Sequence, residues 1–495
     1  MKNWQPLLTG PLALRAQRVV DEIAAVLAPG SSSASGARLP EPQEIPNDPS
    51  PVPDPLAAEK AILSTPNLAG GAAGAALFFA YRAQSGAAGA GDPDTAAAFL
   101  ERSTEALAST PLAPDLYGGF AGVAWTAEHL YGPRFADLDG DAAGDGDAAA
   151  GEPAPEAAGA AGESETDPDP LMEIDDALLH YLDRTPWTAD YDLIRGLAGL
   201  GVYALERLPR PSAVACLAKI VDRLSETAEH GPQGTTWHTA PALLPDWQRE
   251  LFPKGYYNLG MAHGVPAVIA LLRAAAAAAA RLGAAGDPAA AGLAPRARAL
   301  ADGAIRWLLA QRLPPGEASC FGTTFAPESP ATQSRLAWCY GDPGVAAALL
   351  VAARASGDSA LERQAVELAL AAAERPLEAS GVRDAGLCHG SAGLAHLFNR
   401  FYQETGERRL AEASLRWFEH ALDFQLPGEG FAGYRAYWIE PDTTEASWRN
   451  DAGLLEGVAG IGLALLAGID GFEPAWDRIL MLSAATDATG QASRT

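Results

Sequence analysis

The sequence predicts an all-α protein built from seven helical repeats. The first observation is a Gly-x-x-Gly motif that recurs along the chain, with its first glycines 48 to 77 residues apart. The second is the apolar, alanine-rich stretch that follows each copy, for example residues 75–81 and 345–351. The third is the scarcity of alternating Val and Ile, which argues against an extensive sheet. Self-similarity along a whole chain is the signature of a repeat architecture.

Each repeat has room for two helices, one inner and one outer, so seven repeats would contain fourteen helices. A glycine at the start of each inner helix permits a tight turn and a close approach of neighbouring backbones. The first glycines are Gly71, Gly119, Gly196, Gly264, Gly341, Gly390 and Gly457. In the fourth copy Ala267 replaces the second glycine. Such repeats can close into a ring or form an open solenoid, and the pattern leaves both possible.

Sequence composition divides the chain into three parts. Residues 12–28 have apolar side chains at helical spacing and predict an amphipathic helix, which a Pro- and Ser-rich connection follows. We therefore place an N-terminal segment at 1–59, a seven-repeat domain at 60–480 and a flexible tail at 481–495. Within the repeat domain, residues 136–170 are almost entirely Ala, Gly, Asp, Glu and Pro, and they predict a disordered acidic insert between the second and third repeats.

Charge and composition exclude some classes of function. The formal net charge of −27 argues against a nucleic-acid partner, because such a surface needs a basic patch. Four cysteines in 495 residues do not form a disulfide framework, and no signal peptide precedes the first repeat. Arg273 and Arg281 interrupt the longest alanine run, which argues against a transmembrane helix. We expect a soluble cytoplasmic protein without stable membrane insertion.

The positions just before the first glycines carry the candidate chemistry. His263, Tyr340 and His389 each precede such a glycine, and Cys339 and Cys388 lie one step earlier. Stacked repeats place equivalent positions side by side, so the two cysteines and His389 should converge at one rim, with His263 one repeat away. Two thiolates and one imidazole suit tetrahedral Zn²⁺, and three ligands with one open position are typical of a catalytic site.

Simpler interpretations exist for the same cysteines. A free cysteine is most often a small buried hydrophobe, and either cysteine alone would be interpreted so. A structural zinc would need a fourth ligand from Cys216 or Cys320, and neither lies at a repeat position. The shared register of Cys339 and Cys388, with His389 beside the second, favours a catalytic zinc site.

Three motifs in order resemble those of the LanC-type lanthipeptide cyclases. They are Ala262-His-Gly264, Trp338-Cys-Tyr-Gly341 and Leu387-Cys-His-Gly390, and the stretch Tyr191-Asp-Leu-Ile-Arg-Gly196 and Arg335 match further family motifs. The resemblance extends from about residue 60 to about residue 470. It implies an α/α toroid, in which seven helical hairpins form an inner and an outer ring. It also implies that Cys339, Cys388 and His389 bind Zn²⁺.

The resemblance suggests roles for four further residues. His263 would be the acid or base, which suits an imidazole, and Asp192 would orient or charge it. Without the family, His263 is a satisfied histidine at a helix terminus and Asp192 an acid that offsets the helix dipole. Arg335 fits a structural ion pair as well as it fits the binding of a substrate carbonyl or enolate. Tyr340 should face the cavity, and whether it does chemistry stays open.

The implied activity is the closing of thioether rings in a peptide. A peptide cysteine on the zinc would add to dehydroalanine or dehydrobutyrine, which gives lanthionine or methyllanthionine. The implied partners are a dehydrated precursor peptide, with its leader and core, and a separate dehydratase. A glutathione-binding or glutathione-adding protein of the same family is the first alternative. A zinc prenyltransferase or terpene cyclase is disfavoured because no Asp-x-Asp-Asp run occurs, and a non-catalytic scaffold would contain no zinc.

Overall fold

The computed structural model describes residues 4–29, 65–86, 88–89, 91–132, 169–330, 332–439 and 445–484. Fifteen α-helices lie in this part of the chain. In chain order they are α1 (Gly10–Leu27), α2 (Ala72–Gln84), α3 (Asp92–Ser109), α4 (Phe120–Tyr131), α5 (Met172–Leu182), α6 (Leu197–Glu206), α7 (Pro211–Thr227), α8 (Asp246–Leu251), α9 (Val265–Ala284), α10 (Pro288–Leu309), α11 (Asp342–Ser356), α12 (Ser359–Ala373), α13 (Ser391–Thr405), α14 (Arg408–Asp423) and α15 (Val458–Ile469).

Seven helices begin directly after the first glycine of a repeat motif. They are α2, α4, α6, α9, α11, α13 and α15, and each has that glycine as its N-cap residue. At these positions the preceding loop folds back onto the helix start. A Cβ on Gly119 would lie 2.0 Å from the carbonyl oxygen of Ala113, and Gly341 has a φ of 135°. Only glycine fits both requirements, which explains why the motif marks the helix starts.

These seven helices form a closed inner ring. Each contacts the next along the chain, and α15 contacts α2, so the last repeat meets the first. Six helices, α3, α5, α7, α10, α12 and α14, pack outside them as partners of the preceding inner helix. The fold class predicted from the sequence, an all-α toroid of helical hairpins, is therefore confirmed, and the open solenoid is excluded.

The N-terminal helix α1 supplies the seventh outer helix. It packs on α15 and α14, and its buried face includes Val19, Val20 and Ile23. The sequence division placed this helix in a segment apart from the ring, whereas its contacts place it inside the ring architecture. Most of the predicted connection after it lies outside the described residues, as do nearly all of the acidic insert and most of the predicted tail.

Three antiparallel strand pairs lie in the connections between helices. They are β1 (Glu229–Gly231) with β2 (Gly234–Thr236), β3 (Tyr257–Asn258) with β4 (Thr324–Phe325), and β5 (Ala436–Ile439) with β6 (Ala446–Arg449). Each sheet has two strands. The scarcity of strand patterns in the sequence predicted this small share of sheet.

A short 3₁₀ segment, Ala475–Leu480, lies inside the ring, and we call it the central plug. The Tyr117 hydroxyl donates to the carbonyl of Ile479 (2.8 Å) and the Trp338 indole N–H to that of Leu480 (2.9 Å). Arg478 donates to Glu206 on α6 at 2.9 Å. Because these partners come from the second, third and fifth repeats, the plug fills the space that the inner helices enclose.

Helix α9 is long and apolar enough to cross a membrane by length and composition, and among the described helices it alone passes that test. Most of it is buried inside the protein. The guanidinium of Arg273 on α9 pairs with Asp302 on the outer helix α10. These contacts are those of a core helix in the ring.

Candidate metal centre

Backbone hydrogen bonds connect the loops before neighbouring inner helices. The Ala262 N–H donates to the Cys339 carbonyl (3.3 Å), the Cys339 N–H to the Cys388 carbonyl (3.2 Å) and the Cys388 N–H to the Leu455 carbonyl (2.9 Å). The Leu455 N–H donates in turn to Ala69 in the first repeat (3.1 Å). All five residues lie two positions before the first glycine of their repeat. Equivalent positions of consecutive repeats are therefore directly adjacent, as the stacking argument predicts.

This register brings the three predicted metal ligands together. The sulfur atoms of Cys339 and Cys388 and one ring nitrogen of His389 all lie within 4.8 Å of one another. Both thiols are buried and the imidazole is partly buried. The other two cysteines lie elsewhere, Cys216 on α7 and Cys320 in the loop before α11.

The donor set fits a zinc ion. Nδ1 of His389 is buried without a hydrogen-bond partner in the described part of the chain, while Nε2 lies 3.2 Å from a carboxylate oxygen of Glu456. A buried nitrogen without a partner is costly, and a metal ion would satisfy it. Two thiolates and one imidazole are the S and N ligands that zinc prefers. Three protein ligands would leave one position of a tetrahedron open.

The two thiols share one negative charge. A hydrogen bond from Cys388 lowers the pKa of Cys339 well below its usual value despite burial, and His389 and Arg335 lower it further. The same bond, together with burial, raises the pKa of Cys388 well above its usual value. Burial lowers the pKa of His389, but Cys339 and Glu456 raise it more, to about 9. The cluster thus holds a thiolate next to positively charged side chains. A bound metal cation would supply the positive charge that this thiolate needs.

His263 and Asp192 form a direct pair on neighbouring repeats. Nδ1 of His263 lies 2.5 Å from Oδ2 of Asp192, and Oδ1 of Asp192 accepts from the backbone N–H of Arg195 (2.8 Å). Burial lowers the pKa of His263, but the hydrogen bond and charge of Asp192 raise it above its usual value overall. The carboxylate is buried, whereas 37% of the His263 side chain stays exposed. The imidazole can therefore exchange a proton with a ligand at the rim.

Tyr340 and Arg335 link the pair to the thiols. The Tyr340 ring stacks on His263, with centroids 6.2 Å apart, and its hydroxyl accepts from Nδ2 of Asn258 (3.0 Å). A guanidinium nitrogen of Arg335 lies 3.7 Å from the Cys339 sulfur. Both residues thus lie at the rim, and Arg335 faces a thiolate.

A family model described as lanthionine synthetase C-like protein matches residues 157–481, well over half of the chain. This chain belongs to the lanthionine synthetase C-like family. The match confirms the resemblance that the cysteine and histidine motifs indicated. A solved structure of nisin cyclase is similar, with a TM-score of 0.58 and 18% sequence identity, over 85% of this chain and 93% of that one. At this identity the likeness shows that the two share a fold.

Sequence reasoning missed Glu456, a residue of this LanC-like centre. Glu456 occupies in the seventh repeat the position that His389 occupies in the sixth, and it contacts the His389 ring. Burial raises the pKa of the Glu456 carboxyl to about 7, although the nearby His389 lowers it. Its place in the repeat register was the signal that could have identified it. Asn258, which holds Tyr340, lies outside that register and had no such signal.

Proposed function

We propose that this LanC-like protein is a zinc-dependent cyclase that closes thioether rings in dehydrated peptides. One observation carries the proposal: the thiol and imidazole cluster of Cys339, Cys388 and His389 shares a rim with the His263–Asp192 pair. A zinc ion bound by the cluster would lower the pKa of a peptide cysteine and present it as a thiolate nucleophile. The name of nisin cyclase, the similar solved structure, agrees with this class of reaction.

The ring-closing step needs a proton donor, and His263 suits that role. Once the peptide thiol has lost its proton to solvent, its sulfur forms a bond to the β-carbon of dehydroalanine or dehydrobutyrine, and the electron pair of the Cα–Cβ double bond moves onto the adjacent carbonyl to give an enolate. Asp192 binds Nδ1 of His263, so Nε2 is the nitrogen that would deliver a proton to the α-carbon. The carboxylate of Asp192 stabilises the imidazolium, which keeps that proton available near neutral pH.

The remaining rim residues would support the two groups. Arg335 lies close enough to Cys339 to balance the negative charge of the thiolate ligands. Tyr340 packs against the His263 ring, and Asn258 fixes its hydroxyl. We therefore assign Arg335 to charge balance and Tyr340 to holding the acid in place, with substrate contact open to both.

The proposed substrate is a precursor peptide, with leader and core, that a separate dehydratase has already modified. We place the reaction in the cytoplasm, where thiols stay reduced. The free state of Cys216, Cys320, Cys339 and Cys388 agrees with such a compartment. Glutathione addition by the same centre is the competing activity, and product mass separates the two.

The test measures the metal content of purified protein and then incubates the protein with a dehydrated peptide that contains cysteine, with and without added glutathione. We expect about one zinc per chain and loss of the peptide thiol without a change in mass, since ring closure is an isomerisation. A product heavier by one glutathione would contradict cyclisation in favour of the competing activity. Cys339→Ala should lose most of the zinc and the activity, whereas the control Cys320→Ala should keep both. Full zinc content in Cys339→Ala would refute the metal centre.

A further inference from the structure

Glu456 meets His389 from the neighbouring repeat. The Cys388 N–H donates to the Leu455 carbonyl (2.9 Å), which fixes the loop of the seventh repeat beside that of the sixth. This register places Oε2 of Glu456 at 3.2 Å from Nε2 of His389. The Glu456 side chain is only 19% exposed. A carboxylate therefore faces the nitrogen of His389 that is opposite the unpaired Nδ1.

A second carboxylate, Asp384, lies near the same nitrogen but is engaged elsewhere. Its Oδ2 is 4.0 Å from Nε2 of His389. That oxygen accepts from the backbone N–H of Tyr437 (2.9 Å), and Oδ1 accepts from that of Gly386 (3.1 Å). Asp384 thus serves to hold two loops together. Oε2 of Glu456, by contrast, is buried and has no hydrogen-bond partner within the described residues, so it is available to accept an N–H from Nε2 of His389 at 3.2 Å.

We propose that Glu456 is a positioning residue that prepares His389 to bind metal. An N–H on Nε2 directed at Glu456 fixes the tautomer in which Nδ1 keeps its lone pair for a metal ion. A carboxylate partner also restricts rotation of the ring and raises the basicity of the ligand nitrogen. Glu456 acts through His389 and does not touch the substrate. The inference rests on the proposed zinc centre and adds a residue from a third repeat to it.

The chain offers a control at the same repeat position. Arg195 precedes the first glycine of the third repeat, as Glu456 does that of the seventh, but its side chain pairs with Asp190 at 3.4 Å. Replacing Arg195 changes a rim charge without removing a contact of His389. An effect on zinc binding that Glu456→Ala shows and Arg195→Ala does not is therefore not a general consequence of changing a charge at the rim.

Zinc affinity, measured by competition with a chelator, is the first readout. Glu456→Ala should bind zinc about 10- to 100-fold more weakly than wild type, the usual cost of removing such an outer partner. Glu456→Gln should recover most of that loss, because its amide oxygen can accept the same N–H. Arg195→Ala should bind zinc as wild type does. Wild-type affinity in Glu456→Ala would overturn the inference.

The absorption spectrum of the cobalt-substituted protein is the second readout, and it separates positioning from a role in folding. Glu456→Ala should keep the thiolate charge-transfer bands, since both cysteines remain, while its d–d bands shift. A lower melting temperature with unchanged affinity and an unchanged cobalt spectrum would show a structural role and sink the proposal. If Glu456 proved to be only structural but wild-type protein still bound zinc and cyclised the peptide, the proposed function would stand. Absence of zinc from wild-type protein would refute both.

Discussion

His263 and His389 occupy the same position in their repeats and yet differ in chemistry. Cys388 precedes His389, and its neighbour in the preceding repeat is Cys339, so His389 joins a thiol cluster. Ala262 precedes His263, and the partner of that imidazole is the carboxylate of Asp192. The neighbours of each imidazole, rather than the position itself, therefore separate a metal ligand from a proton donor.

This difference predicts separate effects of the two histidines. His263→Ala should keep zinc bound and slow cyclisation by roughly 10²–10⁴-fold, the usual contribution of a general acid. Single-turnover loss of the peptide thiol, together with metal analysis, measures both. Because Asp192 raises the pKa of His263, the wild-type rate should fall as pH rises above that pKa. Asp192→Asn removes the charge that stabilises the imidazolium and should move the fall to lower pH.

His389→Ala is the matched comparison, since it should lose zinc itself. A His263→Ala variant that cyclises at the wild-type rate with zinc in place would make the imidazole structural. In that case protonation of the enolate would fall to solvent or to Tyr340.

At this scale the sequence was informative where register and chemistry coincide. Cys339, Cys388 and His389 were identifiable because their residue types are rare and their positions repeat. Glu456 holds an equally regular position, but acidic residues are common on surfaces, so its type carried little signal. Asp192 lies four residues before its glycine, outside the shared position, and its link with His263 was inferred from the adjacency of the third and fourth repeats together with the family resemblance.

Among the elements, the inner helices were the most predictable. Each starts at a glycine that its own loop requires, so the signal is local. The placement of α1 was not predictable, because its partners α14 and α15 lie about 400 residues further along the chain. The burial of the central plug was not predicted for another reason. Its Asp-Arg pair is typical of an exposed segment, and these charges can be buried only because side chains on the ring pair with them.

The plug predicts a stability effect at Asp477, which is fully buried. Its Oδ2 accepts from His396 Nε2 (3.0 Å) and Arg400 Nε (2.8 Å). Burial raises the pKa of Asp477, but Arg400 and His396 lower it more, to about 2 from a usual 3.8. A lowered pKa stabilises the fold above pH 3.8 and ceases to do so as pH falls through 2. The difference between the usual pKa and the pKa in the folded protein corresponds to about 2 kcal/mol of stability.

Asp477→Asn should therefore lower the free energy of unfolding at pH 7 by about 3 kcal/mol, measured by denaturant unfolding, because it leaves the Arg400 charge with fewer partners. Its deficit relative to wild type should shrink as pH approaches 2. The control Asp246→Asn, at a side chain that is 92% exposed, should change neither quantity. A deficit at Asp477 that is independent of pH would contradict the assigned ionisation.

For the whole molecule, closure of the ring is the property on which the metal centre and its carboxylate partner depend. The metal ligands come from the fifth and sixth repeats and their carboxylate partner from the seventh, whose loop bonds to the first. Seven repeats are therefore held in register by the contact of α15 with α2. A ring of this kind leaves no exposed end repeat, so no capping repeat is needed.

Gly462 lies at that closing contact and provides its test. A Cβ there would lie 2.4 Å from Cε2 of the buried Phe78 on α2, whose ring cannot yield in a packed interior. Gly462→Ala should destabilise the protein by about 1–3 kcal/mol through overpacking, measured by denaturant unfolding. The control Gly292→Ala, on the exterior of α10 with no atom within 4 Å of the new Cβ, should stabilise it by about 0.5–1 kcal/mol. Both substitutions are chemically identical and lie inside helices. Changes of opposite sign in the free energy of unfolding would therefore isolate the cost of the added methyl group at the contact between α15 and α2. If Gly462→Ala instead stabilised the protein as Gly292→Ala does, α15 and α2 would not be in close contact and the ring would be open in solution.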